Sequence, residues 1–234
     1  NKGTAYLFYG SSRGVSRHDE NATAYYCAGP PDCTVIQNPD NQASGSYGYA
    51  LSGAGDINGD GYADILIGAY INRGSVAAGG QTSGNSTKGA AYVHYGSSNG
   101  IVSHEENATA YYCSGPPDCT VIRNPDNQTQ GNFGISVALA GDLNGDGYMD
   151  VTIGAYQNDG TSSTGGQSVG ALKKGAAYVF YGSGSGITLH PESPAPYYCS
   201  GPPDCTVLQN PDNLANAQFG FSVGGAGDVN ADGF

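Results

Sequence analysis

Asp142-Leu143-Asn144-Gly145-Asp146-Gly147-Tyr148-Met149-Asp150 is the stretch whose reading decides the fold. Oxygen-bearing side chains stand at positions one, three, five and nine. Gly147 at position six permits a sharp turn, and Tyr148 at position seven can offer its carbonyl. Calcium is a hard cation that takes about six to eight oxygens, and a tight loop of Asp and Asn supplies most of them. The loop recurs as Asp56, Asn58, Asp60, Tyr62 and Asp64, and opens again at Asp228, Asn230 and Asp232, just before Phe234. These residues, with Asp142, Asn144, Asp146, Tyr148 and Asp150, are the candidate calcium ligands.

Two other readings compete with this one. An EF-hand or dockerin loop opens the same way but needs a carboxylate at position twelve and a helix behind it. Position twelve here is Ile67 or Ile153, and the residues after the loop, Val151-Thr152-Ile153-Gly154-Ala155-Tyr156, are short, β-branched and closed by glycine. That pattern predicts a buried strand. An Asx-rich turn joining two strands is the second rival, and it explains one copy more easily than three at constant spacing.

The spacing is itself the main architectural observation. Asp56, Asp142 and Asp228 are 86 residues apart, as are Lys2, Lys88 and Lys174, and Cys27, Cys113 and Cys199. Repeats of this kind are to be read before any local pattern. Each unit opens with a segment such as Lys174 to Gly182, whose large residues fall on both faces of a predicted strand ended by Gly/Ser turn chemistry. A polar stretch, a cysteine pair, a short strand around Thr120-Val121-Ile122 and an Asn-Pro-Asp-Asn turn follow. Phe133 to Ala138 then reads as the strand that enters the loop. Segments 72–87 and 158–170, rich in Gly, Ser and Thr, read as exposed loops.

Composition points the same way. With 39 glycines and 18 tyrosines in 234 residues and no tryptophan, turn-rich β structure is favoured over long helices. The net charge of −12 has a local cause, since Asp56, Asp60, Asp64, Asp142, Asp146, Asp150, Asp228 and Asp232 all lie in the three loops. No basic stripe exists for a nucleic acid. No apolar run is long enough to span a bilayer, and the first residues lack a signal-peptide pattern, so a mature or excised piece is expected.

The cysteines form three identical sets, Cys27/Cys33, Cys113/Cys119 and Cys199/Cys205, each within Tyr-Tyr-Cys-(Ala/Ser)-Gly-Pro-Pro-Asp-Cys. Even number, equal spacing and no accompanying histidines favour disulfides over zinc, and the spacing is wider than a redox Cys-x-x-Cys. Closing such a ring restrains the unfolded chain by roughly 2–2.5 kcal/mol in the loop-entropy model. An oxidising, extracellular compartment follows. Four Asn-x-Ser/Thr triplets, at Asn21, Asn85, Asn107 and Asn127, are candidate N-glycan sites; the third unit has Ser193-Pro194-Ala195-Pro196 where Asn21 and Asn107 stand, which could carry O-linked sugar or form a rigid linker.

Four strands per unit, repeated, suggest a β-propeller. Phe133-Gly134, Phe219-Gly220 and the variant Tyr47-Gly48, followed by Ala-Gly-Asp-x-Asn-Gly-Asp-Gly-Tyr-x-Asp and Ile-Gly-Ala, closely resemble the FG-GAP repeats of integrin α-subunit heads and related extracellular proteins. The resemblance implies blades that hold Ca²⁺ in the loop joining their first two strands, with the Asp, Asn, Asp and last Asp of each loop as ligands. The sequence departs from it in three ways: Tyr70 and Tyr156 stand where the family has proline, the disulfide insertion lengthens each unit, and the third loop lacks its last carboxylate.

The expected fold is therefore all-β, made of FG-GAP β-propeller-type blades, four-stranded antiparallel repeats in an incomplete ring or an open, assembled array. Residues 1–46 are expected to supply the C-terminal half of a first blade, 47–132 and 133–218 two blades with disulfide insertions, and 219–234 the start of a further blade with its first strand. Catalysis is not expected. His18, His104 and His190 recur once per unit in polar loops, which fits structure or binding better than acid/base work, and no nucleophile elbow, phosphate loop or zinc-hydrolase pattern is present. His94 replaces Phe8 and Phe180 in its strand and reads as a packing or surface variant. The tyrosine pairs 25/26, 111/112 and 197/198 read as cover for the disulfides rather than as sugar platforms. The expected role is a structural or assembly module of a cell-surface or extracellular fibre, through self-association. The alternative is an adhesion or recognition propeller that binds a protein or glycan ligand, and an accessory domain of a secreted enzyme is a third reading. Similarity between the units favours the first, and the family resemblance favours the second.

Overall fold

The computed structural model describes residues 3–15, 27–40, 42, 44–72, 87–102, 113–158, 173–188 and 199–233. The histidines 18, 104 and 190, the tyrosine pairs, the two Gly/Ser-rich loops and the sequons at Asn21, Asn85 and Asn107 lie outside them. Thirteen strands and no helices are found among the described residues. They form three antiparallel sheets. The first is built from β1 (Thr4–Phe8), β2 (Ala28–Gly29) and β3 (Cys33–Gln37), in the order β1-β3-β2. The second is built from β4 (Ala50–Gly55), β5 (Asp64–Ala69), β6 (Ala90–His94), β7 (Ser114–Gly115) and β8 (Cys119–Arg123), in the order β4-β5-β6-β8-β7. The third repeats that order with β9 (Ser136–Gly141), β10 (Asp150–Ala155), β11 (Ala176–Phe180), β12 (Ser200–Gly201) and β13 (Cys205–Gln209). No sheet closes into a barrel, so the architecture is an open set of propeller-type blades.

To the four expected strands the structure adds a fifth. β7 pairs with β8 through Gly115↔Cys119 and Ser114↔Thr120, so each cysteine ring is a small hairpin on the outer edge of its sheet. All three disulfides form, Cys27–Cys33, Cys113–Cys119 and Cys199–Cys205, with Cα–Cα distances of 4.5–4.7 Å. The entering strand starts later than its hydrophobic run suggested, at Ser136 rather than Phe133, because Phe133 and Gly134 are used in the seam described next.

The sheets stack face to face, and the period-two alternation of the middle sheet's strands feeds two separate cores. From the middle sheet Ile67, Tyr92 and Val121 point toward Ala5 and Ile36 of the first sheet, while Leu66, Val93 and Ile122 point toward Ile153, Tyr178 and Phe180 of the third. β6 is consequently buried along its whole length, and β11 is buried along its length as well.

The seam between units explains the glycines of the repeated motif. Phe133 forms a parallel bridge with Gly89 of the preceding unit, and its N–H donates to the Lys88 carbonyl at 3.3 Å. A Cβ on Gly89 would stand 2.0 Å from the Phe133 carbonyl oxygen, and one on Gly68 would stand 2.1 Å from that of Gly134. Only residues without a Cβ let the backbones approach this closely. The same contacts recur between Phe219-Gly220 and Gly154 and Gly175.

Beyond Gly220 the expected first strand of the further blade is not formed, although the bridge at Phe219 is. In the two complete sheets this strand pairs with the one after the loop, β5 or β10, and no described residue takes that place beside 221–227. An isolated strand cannot satisfy its own backbone groups.

Candidate metal centre

β4 ends at Gly55 and β5 begins at Asp64, so Asp56 to Ala63 is the connection of a β-hairpin. Its shape is set by carboxylates capping amides. Asp56 Oδ1 accepts from the N–H groups of Gly59 (2.7 Å) and Asp60 (3.1 Å), and its Oδ2 accepts from Gly61 (2.8 Å). Asp60 Oδ1 accepts from Tyr62 N–H at 2.9 Å, and its Oδ2 accepts from Asn58 Nδ2 at 3.0 Å. Asp64, almost fully buried, accepts from Ile57 N–H at Oδ2 (2.9 Å) and from Gly96 N–H at Oδ1 (2.9 Å). Positive φ at Gly59 and Gly61 lets the amides converge on Asp56.

The second loop is a near copy. Asp142 caps Gly145, Asp146 and Gly147, Asn144 Nδ2 donates to Asp146 Oδ2, and Asp150 accepts from Leu143 N–H (2.8 Å) and Gly182 N–H (3.0 Å). In the third, exposed loop Asp228 accepts from the N–H groups of Asp232 and Gly233, and Asn230 Nδ2 donates to Asp232.

Burial pushes the Asp64 carboxyl up to about 6, with the charges of Asp60 and Asp56 adding to it and the Gly96 and Ile57 N–H groups opposing it. Asp150 is raised for the same reasons, burial first. Asp228 is held below the usual carboxylate range, chiefly by the Gly233 N–H.

The kinds of donor fit a hard divalent cation. Each of the two complete loops offers three carboxylates, an amide oxygen and a main-chain carbonyl, without sulfur or imidazole. As they stand, the Asp and Asn side-chain oxygens are engaged by amides, mostly of the loop's own backbone, and among the described residues no three Asp, Glu, His or Cys side chains gather into one group. Asn127 is half-buried and its Oδ1 accepts from Lys88 Nζ; Asn213, which is not in a sequon, makes the same contact with Lys174.

The FG-GAP repeat family is matched at residues 47–94 and again at 133–180, the two segments that carry the complete loops. The chain carries two FG-GAP repeats and is similar to integrin alpha subunits over most of its length. It is 26% identical to mouse integrin alpha-7 over 197 residues, which is 83% of the chain and 12% of that relative. To integrin alpha-5 of Xenopus laevis it is 25% identical over 250 residues, covering 97% of the chain and 19% of the relative. To integrin alpha pat-2 of Caenorhabditis elegans it is 35% identical over 106 residues, 44% of the chain and 7% of the relative. The chain thus spans less than a fifth of the length of these relatives.

Two buried groups in these FG-GAP units were not identified as functional from sequence. The Asn-Pro-Asp-Asn turns hold more than a turn: Asp40 Oδ2 accepts from Asn72 Nδ2 at 2.7 Å and from the Tyr92 hydroxyl, both in the next unit. Asp126 Oδ2 does the same with Asn158 Nδ2 (2.7 Å) and the Tyr178 hydroxyl. Each is a buried carboxylate clasping the following blade, and the 86-residue recurrence of Asp, Asn and Tyr was the available signal. His94 is the second group. It is fully buried and shares a 2.7 Å hydrogen bond with the Tyr47 hydroxyl, which makes it a packing residue.

Proposed function

We propose that the chain is a calcium-binding section of an extracellular adhesion or recognition propeller that works by presenting a surface to a protein or glycan ligand, without catalysis. The observation that carries this reading is the loop. Two complete copies of one all-oxygen donor set sit at equivalent hairpins of stacked FG-GAP sheets, in a chain similar to integrin alpha subunits. Asp56, Asn58, Asp60, the Tyr62 carbonyl and Asp64 would hold one ion. Asp142, Asn144, Asp146, the Tyr148 carbonyl and Asp150 would hold a second, and Asp228, Asn230 and Asp232 supply part of a third set. When bound, the ion supplies positive charge among carboxylates that otherwise repel one another. The chain's own part is to fix the hairpin through the amides of Gly59, Asp60 and Gly61.

The blade limits at residues 47, 133 and 219 belong to this proposal, as do N-glycans on the polar loops. A second reading, a structural module of an extracellular fibre, is favoured by the exact recurrence of the seam contacts from unit to unit. Electron microscopy of native material in calcium and after chelation separates the two. Ring-shaped particles several nanometres across support the recognition head, and fibres with an axial repeat support the module. Calorimetric titration of calcium into chelator-treated protein tests the metal reading, which fails if no saturable heat is seen.

A further inference from the structure

The two complete loops are in direct contact across the seam. The Met149 N–H, between positions seven and nine of the second loop, donates to the carbonyl of Asp56, position one of the first, at 3.2 Å. The Tyr148 ring lies over Gly59 so closely that a Cβ there would stand 2.6 Å from Cε1. Ile57, position two of the first loop, is fully buried in the core that the second and third sheets share.

A continuous hydrogen-bonded path also joins the two ninth-position carboxylates. Asp64 Oδ2 accepts from the Ile57 N–H at 2.9 Å. The carbonyl of the same Ile57 accepts from the Ser183 N–H at 3.2 Å. The adjoining Gly182 N–H donates to Asp150 Oδ1 at 3.0 Å. Holding either carboxylate in place therefore fixes an element the other depends on. Ordering a shared element once lowers the ordering cost of the second event, which is positive coupling.

We propose that the two loops bind calcium as a coupled pair, with the Ile57 peptide and the Gly182–Ser183 turn of the next unit as the positioning link between Asp64 and Asp150. The proposal rests on the calcium reading above and concerns its regulation. The first loop reaches full affinity only when the neighbouring unit's loop is filled, and by linkage the converse holds to the same degree.

The test is calorimetry of calcium into the chelator-treated full chain carrying Asp228→Asn, which weakens the third loop. It is repeated with Asp60→Asn, which leaves the second loop complete, and with Asp146→Asn, which leaves the first. Coupling predicts that the overall two-site constant exceeds the product of the two single-site constants by about fivefold to tenfold, about 1.0–1.4 kcal/mol. Gly182→Ala replaces no ligand residue but places a Cβ 2.5 Å from the Met149 carbonyl oxygen and 2.7 Å from that of Ile57, and it should abolish the excess. If that variant does not fold, Ser183→Pro removes the donated N–H without bulk at 182 and should do the same. Constants that multiply without excess overturn the coupling and leave calcium binding intact. An excess that survives Gly182→Ala or Ser183→Pro overturns the named link. No calcium heat in the intact chain overturns the calcium reading, and the coupling with it.

Discussion

The start of the second unit and the start of the third solve one packing problem with different chemistry. Phe133 meets Tyr178 at 5.6 Å between ring centroids and Phe180 at 6.1 Å, both edge-to-face. Tyr47 meets Tyr92 at 5.4 Å and His94 at 6.3 Å, in nearly the same orientations. The ring framework is shared, and edge-to-face contacts of this kind add about 0.5–1.5 kcal/mol beyond area burial. The difference is one hydroxyl and one imidazole. A tyrosine hydroxyl buried alone leaves an unsatisfied polar group, and so does a buried imidazole nitrogen; here the Tyr47 hydroxyl and His94 Nε2 meet each other's need. The lesson is that each variant costs stability without its partner, so the two positions act as a pair.

The comparison can be broken most severely by removing the ring. Phe133→Ala should destabilise the chain by about 3–5 kcal/mol in denaturant titrations, since it empties a fully buried site between two units. Next in size, Phe180→His alone places an imidazole in the apolar version of the seam with no hydroxyl to meet it, at a cost of about 2–3 kcal/mol; adding Phe133→Tyr should recover most of that loss. In the polar version, His94→Phe alone should cost about 1–3 kcal/mol by stranding the Tyr47 hydroxyl. The smallest effect is expected from the double change Tyr47→Phe with His94→Phe, which recreates the third unit's pair and should lie within about 1 kcal/mol of the parent. A double-mutant cycle with no interaction energy between positions 47 and 94 would sink the pairing argument.

Those two positions also show how far the sequence could be read. The Tyr47-Gly48 variant and the His94 replacement are both visible in the repeat, but they are 47 residues apart and nothing local joins them. The turn at Asn124-Pro125-Asp126-Asn127 was legible as a turn from its residue types, yet the clasp of Asp126 on Asn158 and Tyr178 was not, because turn chemistry gives no information on what the exposed side of the turn will meet. The cysteine hairpin was half legible: spacing implied the bridge, while the fifth strand depends on β8 offering a free edge.

By itself the sequence determined what is local or periodic. Alternation and β-branching made strands, Gly and Asp at fixed spacing made the loops, cysteine spacing made the bridges, and the 86-residue repeat made the units equivalent. Tertiary structure alone decided how the units join: that Phe133-Gly134 sits among glycines of the unit before it, that Ile57 enters its neighbour's core, and that Asp64 and Asp150 share a hydrogen-bonded path. The physical reason is range. Propensity and turn chemistry act over a few residues, whereas a carboxylate or hydroxyl finds its partner across a seam only after two sheets have packed and excluded water.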